Sequence, residues 1–285
     1  MINYQRKGDD IYIYDQENFD AEKIALSGQI FRYFQEDDGY TILSGQYKCR
    51  CIVQKTEKFV KLNTNNSEYF INYFDLNKNY DIINNEYSER SFVKSAVEYS
   101  KGIRLLKQDR FETVISFIIS ANNNIPRIKL IIERLCQAAG RRYGEYTAFP
   151  TADEMKDLTE DFYTKIGSGY RAPYLLKTVT AINDGFDLDA VDRMDTESAH
   201  KYLMTLYGIG PKVADCVLLF AYGRGDVFPV DTWIKKSARE YFGIPHNDIK
   251  KIRKELIDIF GNDSGIIQQY IYFYIRNMPR HTQND

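Results

Sequence analysis

Apolar and polar residues alternate with a period of two through much of the first third of the chain. The segments are DIYIYD (10–15), IFRYFQ (30–35), YTILSG (40–45), YKCRCIVQ (47–54) and KFVKLN (58–63). Short runs rich in Tyr, Phe, Ile and Val, split by polar clusters such as EDDG (36–39), predict an antiparallel sheet. From about Ser67 the period changes: YFINYF and RSFVKSAVEY carry apolar residues three and four apart, the spacing of a helix. Gly, Pro and Asn then punctuate helices predicted over 111–120, 127–139, 151–158, 172–183, 196–206, 212–220, 232–242, 248–259 and 265–277. The pattern implies an α+β fold, with an antiparallel β-sheet domain over 1–88 followed by a mostly α-helical body over 89–285.

Composition narrows the class of protein. A chain of 285 residues, 44% hydrophobic and 27% charged, can bury a sizeable core and is not a disordered polymer. No apolar run approaches the ~18 residues of a membrane helix, and MINYQRKGDD is too polar for a secretion signal. Four cysteines without such a signal suggest a reduced, cytoplasmic protein. Cys49 and Cys51 alternate along a strand, Cys136 and Cys216 stand alone, and His200, His246 and His281 are scattered, so no metal site is expected. A net charge of −2 gives no global sign of nucleic-acid binding. Locally, Lys101, Arg104, Lys107, Arg110, Arg127, Lys129 and Arg134 outnumber Asp109, Glu112 and Glu133, with Arg141 and Arg142 following. That suggests a basic stripe; a solvated helix surface is the alternative.

The most informative stretch runs from Leu206 to Cys216, LYGIGPKVADC, where two helical patterns meet at Gly208-Ile209-Gly210. Glycines permit a sharp turn there, and the following helix presents free N–H groups and its positive dipole end, a seat for a phosphate. A tight helix–helix turn without a ligand is the other reading. The full L-x-G-x-G-x-x-x-A pattern, about 196–222 with its helices, resembles the helix-hairpin-helix motif of DNA-repair proteins. Within it, burial and the helix N-terminus are expected to lower the pKa of Lys212 and make its amine a nucleophile. Cys216, at i+4, shares its helical face; a small core residue is the alternative. Downstream, FPVDTW places Asp231 as a helix N-cap. The same carboxylate, converging with Lys212 on one sugar, would offset positive charge while the amine attacks C1′.

GIGPKVADC followed by PVD looks like the helix-hairpin-helix–Gly/Pro–Asp superfamily of DNA glycosylases, and Lys212 with Cys216 looks like its 8-oxoguanine DNA glycosylase/AP lyase branch. SFIISANNNIPRI (116–128), GSGYRA (167–172) and SGQIFR (27–32) are similar to further blocks of that branch, in the expected order over roughly 20–275. The resemblance implies roles. Asn122, Arg127 and Arg171 would hold the orphaned cytosine, whose N3 and O2 acceptors suit arginine donors. Tyr170 would be the wedge that fills the emptied stack. The Gly28 carbonyl would accept N7–H of 8-oxoguanine and repel the N7 lone pair of guanine. Gln268 would bond the base edge, and Tyr272 and Cys216 would sandwich the base. Gly208, Gly210 and Val213 would grip a DNA phosphate. Two residues depart from the branch: Tyr272 stands where Phe is common, and Trp233 where His often contacts a phosphate.

The expectation is therefore a monomeric enzyme acting on 8-oxoguanine in duplex DNA, preferentially opposite cytosine, through a Lys212 Schiff base and β-elimination, with no cofactor. Two alternatives stand beside it. One is a glycosylase for another damaged base, against which Lys212 and the lack of a four-cysteine cluster speak. The other is a non-catalytic helix-hairpin-helix binding module, which has no reason to aim a carboxylate at a buried lysine.

Overall fold

A computed structural model describes residues 2–278 except 55, 57, 88–90 and 246. Six antiparallel strands form the N-terminal sheet: β1 (Tyr4–Lys7), β2 (Asp10–Ile13), β3 (Tyr33–Glu36), β4 (Gly39–Ser44), β5 (Tyr47–Gln54) and β6 (Phe59–Thr64), in the order β1-β2-β6-β5-β4-β3. The register pairs Ile42 with Cys49 and Cys51 with Leu62. Cys49 and Cys51 are thus fully buried beside Ile11, Ile13 and Val60, as packing residues. Two elements escape the alternation pattern. β1 is polar because it is an edge strand, and α1 (Ala21–Leu26) is a short helix started by the Asp20 side chain accepting from Lys23 N–H. The strand predicted from residue 30 begins only at Tyr33, because Ile30, Phe31 and Arg32 are buried in the connection between α1 and β3.

The helical body follows: α2 (Ser67–Tyr73), α3 (Asp81–Glu86), α4 (Ser91–Ser100), α5 (Arg110–Ser120), α6 (Ile125–Ala139), α7 (Glu160–Lys165), α8 (Ala172–Asn183), α9 (Thr196–Leu203), α10 (Pro211–Tyr222), α11 (Thr232–Phe242), α12 (Ile249–Phe260) and α13 (Ser264–Asn277). A two-stranded hairpin, Arg142–Tyr143 with Tyr146–Thr147, lies between α6 and α7. The helix predicted over 151–158 is instead a set of turns. Thr151 and Glu154 cap each other's amides there, and a second cap, Thr159, starts α7.

Two apolar clusters organise the molecule. The first joins the sheet to α1 and α2 through Phe19, Phe70, Tyr73 and Phe74. The second fills the helical body around α5, α10 and α13, whose buried residues are mostly Ile, Val, Leu and Phe. Leu106 belongs to the first cluster and Phe31 to the second, so each unit inserts a side chain into the other's core. The expected boundary at 88/89 falls outside the described residues.

Buried polar groups fix the seam between the units. Gln29 donates to the Ser27 hydroxyl and the Arg104 carbonyl and accepts from Leu106 N–H. Gln269 on α13 donates to the Ser27 carbonyl at 2.9 Å. The loop carrying Gly28 is therefore held from both sides, with φ +86° at Gly28, a region that glycine enters without strain.

Candidate active site

Residues from five parts of the chain meet in one pocket: Gly28 after α1, Phe117 on α5, Lys212, Cys216 and Phe220 on α10, Pro229 and Asp231 before α11, and Gln268, Gln269 and Tyr272 on α13. The sequence reading named six of these ten lining residues. It passed over Phe117, Phe220, Pro229 and Gln269, because two aromatics inside apolar runs read simply as core. Phe117 and Phe220 are in fact stacked, with centroids 5.5 Å apart and planes 18° from parallel.

Lys212 Nζ lies 5.5 Å from the Phe117 ring centroid, and Cys216 follows it by one turn on the same helix. The expectation of a lowered lysine pKa fails. Burial does favour the neutral amine, but the Cys216 sulfur and the Asp231 carboxylate outweigh it and hold the ammonium above the ordinary lysine range. Burial likewise pushes the Cys216 thiol up to about 11. Cys216 is therefore neutral at physiological pH, and Asp231 supplies the charge that faces the lysine. Asp231 also caps α11, its Oδ1 accepting from Ile234 N–H at 2.9 Å. The capping and pocket-facing readings of Asp231 hold together.

The pocket is small. Its free volume is about 50 Å³, room for one or two waters and far too little for a purine. Gln268 is buried, with Nε2 donating to the Pro229 carbonyl and Oε1 lacking a partner among the described residues. Tyr272 stands over Gly28: a Cβ on Gly28 would lie 3.2 Å from its ring.

The hairpin is built as its glycines require. Gly208 has φ +81°, and a Cβ there would lie 2.8 Å from Tyr174 Cβ. Gly210 is the exposed N-cap of α10, with open space before it and no side-chain cap. The first helical bond of α10 runs from Ala214 N–H to the Gly210 carbonyl, so the Lys212 and Val213 amides lie ahead of it at the dipole's positive end. The Val213 side chain itself is buried.

A second cluster lies at the start of α6. Asn122 is exposed, with φ +48°. Tyr170 is 55% exposed and its hydroxyl donates to the Ala121 carbonyl. Arg127 is exposed and donates to the Gly167 carbonyl. Arg171, only 3% exposed, donates to the carbonyls of Ala121, Asn122 and Ser168. It thus braces the turn that presents Asn122. Trp233 is partly exposed on the first turn of α11.

Only part of the predicted basic stripe is exposed: Arg127, Arg134, Arg141 and Arg142. Arg104 is buried and donates to the carbonyls of Asn18, Phe74, Asp75 and Lys78. Lys101, Lys107 and Arg110 pair with Glu17, Asp75, and Asp189 with Asp192, while Lys129 and Arg134 donate to main-chain carbonyls. Charges close in sequence are spread by the fold onto internal partners. Among the described residues no group of three His, Cys, Asp or Glu could hold a metal ion, and no helix is long and apolar enough to cross a membrane. His246 and His281 lie outside the described residues.

A helix-hairpin-helix beside a Lys–Asp pocket defines the class: residues 115–261 match the HhH-GPD superfamily of base excision DNA repair proteins. Residues 11–114 match the 8-oxoguanine DNA glycosylase N-terminal domain. The chain belongs to the 8-oxoguanine DNA glycosylase family of that superfamily. It is similar to the Clostridium acetobutylicum 8-oxoguanine glycosylase/lyase, solved in complex with double-stranded DNA containing cytosine opposite 8-oxoG. The two share 36% identity over 97% of each chain, with a TM-score of 0.87. It is also 32% identical to a probable N-glycosylase/DNA lyase of Methanothermobacter thermautotrophicus and 34% identical to the N-glycosylase/DNA lyase of Saccharomyces cerevisiae. Those matches cover 65% and 58% of this chain, and 65% and 48% of the respective relatives, so the chain spans about half to two thirds of the curated relatives it matches.

Proposed function

We propose that this chain extrudes 8-oxoguanine from duplex DNA, preferentially opposite cytosine, cleaves its glycosidic bond and nicks the strand by β-elimination. The observation that carries this reading is the convergence of Lys212 and Asp231 on one pocket with Gly28, Cys216, Gln268 and Tyr272. The Clostridium relative bound to 8-oxoG opposite cytosine supports the choice of lesion and opposing base.

The chemistry follows from the charges. As the bond from C1′ to N9 breaks, its electron pair leaves with the base, and the Asp231 carboxylate stabilises the positive sugar. Lys212 starts as an ammonium, so its proton passes to the departing base. The freed amine then bonds C1′, and ring opening gives a Schiff base. Loss of the C2′ proton breaks the bond from C3′ to its oxygen and cuts the strand. No cofactor takes part in this sequence. The Gly28 carbonyl accepts N7–H, and Gln268 bonds the base edge through its unfilled Oε1. Tyr272 and Cys216 close on the two faces of the base. Before DNA, the pocket is too small for a purine, so Tyr272 yields as the base enters.

Tyr170 fills the vacated stack, and Asn122 and Arg127 take the orphaned cytosine. Arg171 joins them by exchanging a backbone carbonyl for the base. The amides after Gly208 and Gly210, that of Val213 included, hold a phosphate without reading sequence. The division into a sheet unit over 1–88 and a helical unit over 89–285 belongs to this reading; two core clusters support two units, with Tyr80 and Ile83 packed into the helical one. So do action as a monomer and a cytoplasmic, nucleoid-associated location.

Borohydride added during reaction with an 8-oxoguanine:cytosine duplex is expected to trap a covalent adduct that Lys212→Gln does not form. Undiminished trapping by that variant would refute the nucleophile. Equal excision opposite all four bases would refute the cytosine preference.

A further inference from the structure

Arg276 is a charged residue beside the pocket that the reaction above leaves without a role. It lies on α13, four residues beyond Tyr272 and eight beyond Gln268, so the three share one helical face. Its Nη2 donates to the Leu26 carbonyl, and its guanidinium carbon sits 5.3 Å from the Tyr272 ring centroid. Its Nη1 is buried and has no hydrogen-bond partner among the described residues. A Cβ placed on Gly28 would lie 2.9 Å from that nitrogen. The unfilled donor therefore stands directly beside the carbonyl-bearing Gly28.

A buried charged N–H without an acceptor is destabilising, and such groups are kept where something else supplies the partner. The same helix face carries a second unfilled polar atom, Gln268 Oε1. The open acceptor lines the pocket, and the open donor stands against Gly28 and Tyr272, two of the pocket's lining residues. That is a site built for a ligand edge with complementary groups.

We infer that Arg276 is a further specificity-determining residue: its Nη1 donates to the C8 carbonyl oxygen of the extruded lesion, beside the Gly28 carbonyl that accepts N7–H. The inference rests on the glycosylase reading above. The chemistry favours this edge over others. 8-Oxoguanine differs from guanine at two adjacent positions: N7 becomes a donor and C8 gains a carbonyl. A carbonyl and an N–H side by side are the complement of that donor–acceptor pair. Guanine offers a lone pair at N7 and an apolar C–H at C8, so it leaves Nη1 unpaired and sets Gly28 against a lone pair. Arg276 also ties the reading edge to the Leu26 carbonyl, two residues before Gly28, which holds donor and acceptor in register.

The test compares wild type with Arg276→Leu and Arg276→Lys on two duplexes, one with 8-oxoguanine and one with a preformed abasic site. Arg276→Leu is expected to excise 8-oxoguanine about ten- to a hundredfold more slowly, the effect of losing one charge-assisted hydrogen bond. Borohydride trapping at the abasic site, where no base fills the pocket, is expected to stay within about twofold. Arg276→Lys should recover part of the excision rate. In a Lys212→Gln background, Arg276→Leu should reduce the ratio of affinities for 8-oxoguanine and guanine duplexes by about tenfold. Unchanged excision by Arg276→Leu overturns the inference. Equal losses on both duplexes also overturn it, because they mark general damage to the fold. If the wild-type chain releases no 8-oxoguanine yet traps at abasic sites, the lesion assignment itself is wrong and the inference falls with it.

Discussion

Lys212 and Cys216 stand one turn apart on α10 at the wall of the pocket. The sulfur raises the lysine's pKa against the effect of burial. Removing it should free the nucleophile at lower pH. For Cys216→Ala, the pH profile of borohydride trapping at a preformed abasic site is expected to shift to the acid side, since less alkali is needed to deprotonate Lys212. Excision of 8-oxoguanine should fall at the same time through loss of a contact to the base. An alkaline shift of the trapping profile would show that Cys216 does not hold the lysine's proton.

Asp231 serves two ends, and two substitutions separate them. Asn caps a helix about as well as Asp, whereas Ala loses roughly 1 kcal/mol of cap. Asp231→Asn should therefore melt close to wild type and still lose excision by about a hundredfold or more, because the charge facing the sugar is gone. Asp231→Ala should lose a comparable amount of activity and melt a few degrees lower. If Asp231→Asn excises at the wild-type rate, the residue is a cap and nothing else.

Where a residue's task depends on its neighbours in sequence, the sequence was readable. Alternation gave β4, β5 and β6, punctuation by Gly, Pro and Asn gave α8 and α11 to the residue, and GIGPK gave the hairpin with Gly208 at positive φ. Where the task depends on residues far away, it was not. Lys212 meets Asp231 nineteen positions on, and only the folded geometry reveals that the carboxylate and the sulfur outweigh burial. The basic stripe is broken for the same reason, with Arg104 drawn inside to bind four distant carbonyls. Phe117 and Phe220 read as core and are core, yet their stacked rings are also the wall behind the lysine.

Glu112, on α5, is buried at the seam between sheet and helices, where it accepts from Gly45 N–H at 2.6 Å. Burial raises its pKa from 4.5 to about 7, more than the nearby Arg32 lowers it. A carboxyl with a raised folded-state pKa binds its proton more tightly in the native protein. Its contribution is thus largest below pH 4.5 and declines as pH climbs to about 7, by roughly 3 kcal/mol. Glu112→Gln keeps an acceptor for Gly45 and removes the titration. Chemical denaturation between pH 5 and 8 should show a flatter stability profile for the variant and a net gain above pH 7. Parallel profiles for the two proteins would place the titration elsewhere.

Behind the pocket-lining face of α10, Asp215 faces α12. Its carboxylate is buried and accepts two hydrogen bonds from Arg253, Nε to Oδ2 at 2.6 Å and Nη2 to Oδ1 at 2.8 Å. His200 Nε2 on α9 lies 3.4 Å from the same Oδ1 and 3.1 Å from the Pro211 carbonyl. One carboxylate thus ties both hairpin helices to the C-terminal part of the body. Burial keeps its pKa above the ordinary value despite Arg253. Arg253→Ala would leave that charge with His200 alone, at a cost of about 3–5 kcal/mol, which for a chain of this size lowers the melting temperature by roughly 10 °C. Asp215→Asn in the same background should restore part of the loss, because the stranded group is then neutral. The single variant should also regain stability as pH falls, because burial makes Asp215 take up its proton more readily than an ordinary carboxyl. If Arg253→Ala melts like wild type at neutral pH, the pair does not hold the hairpin in position, and the orientation of Lys212 must depend on the packing of α5 against α10.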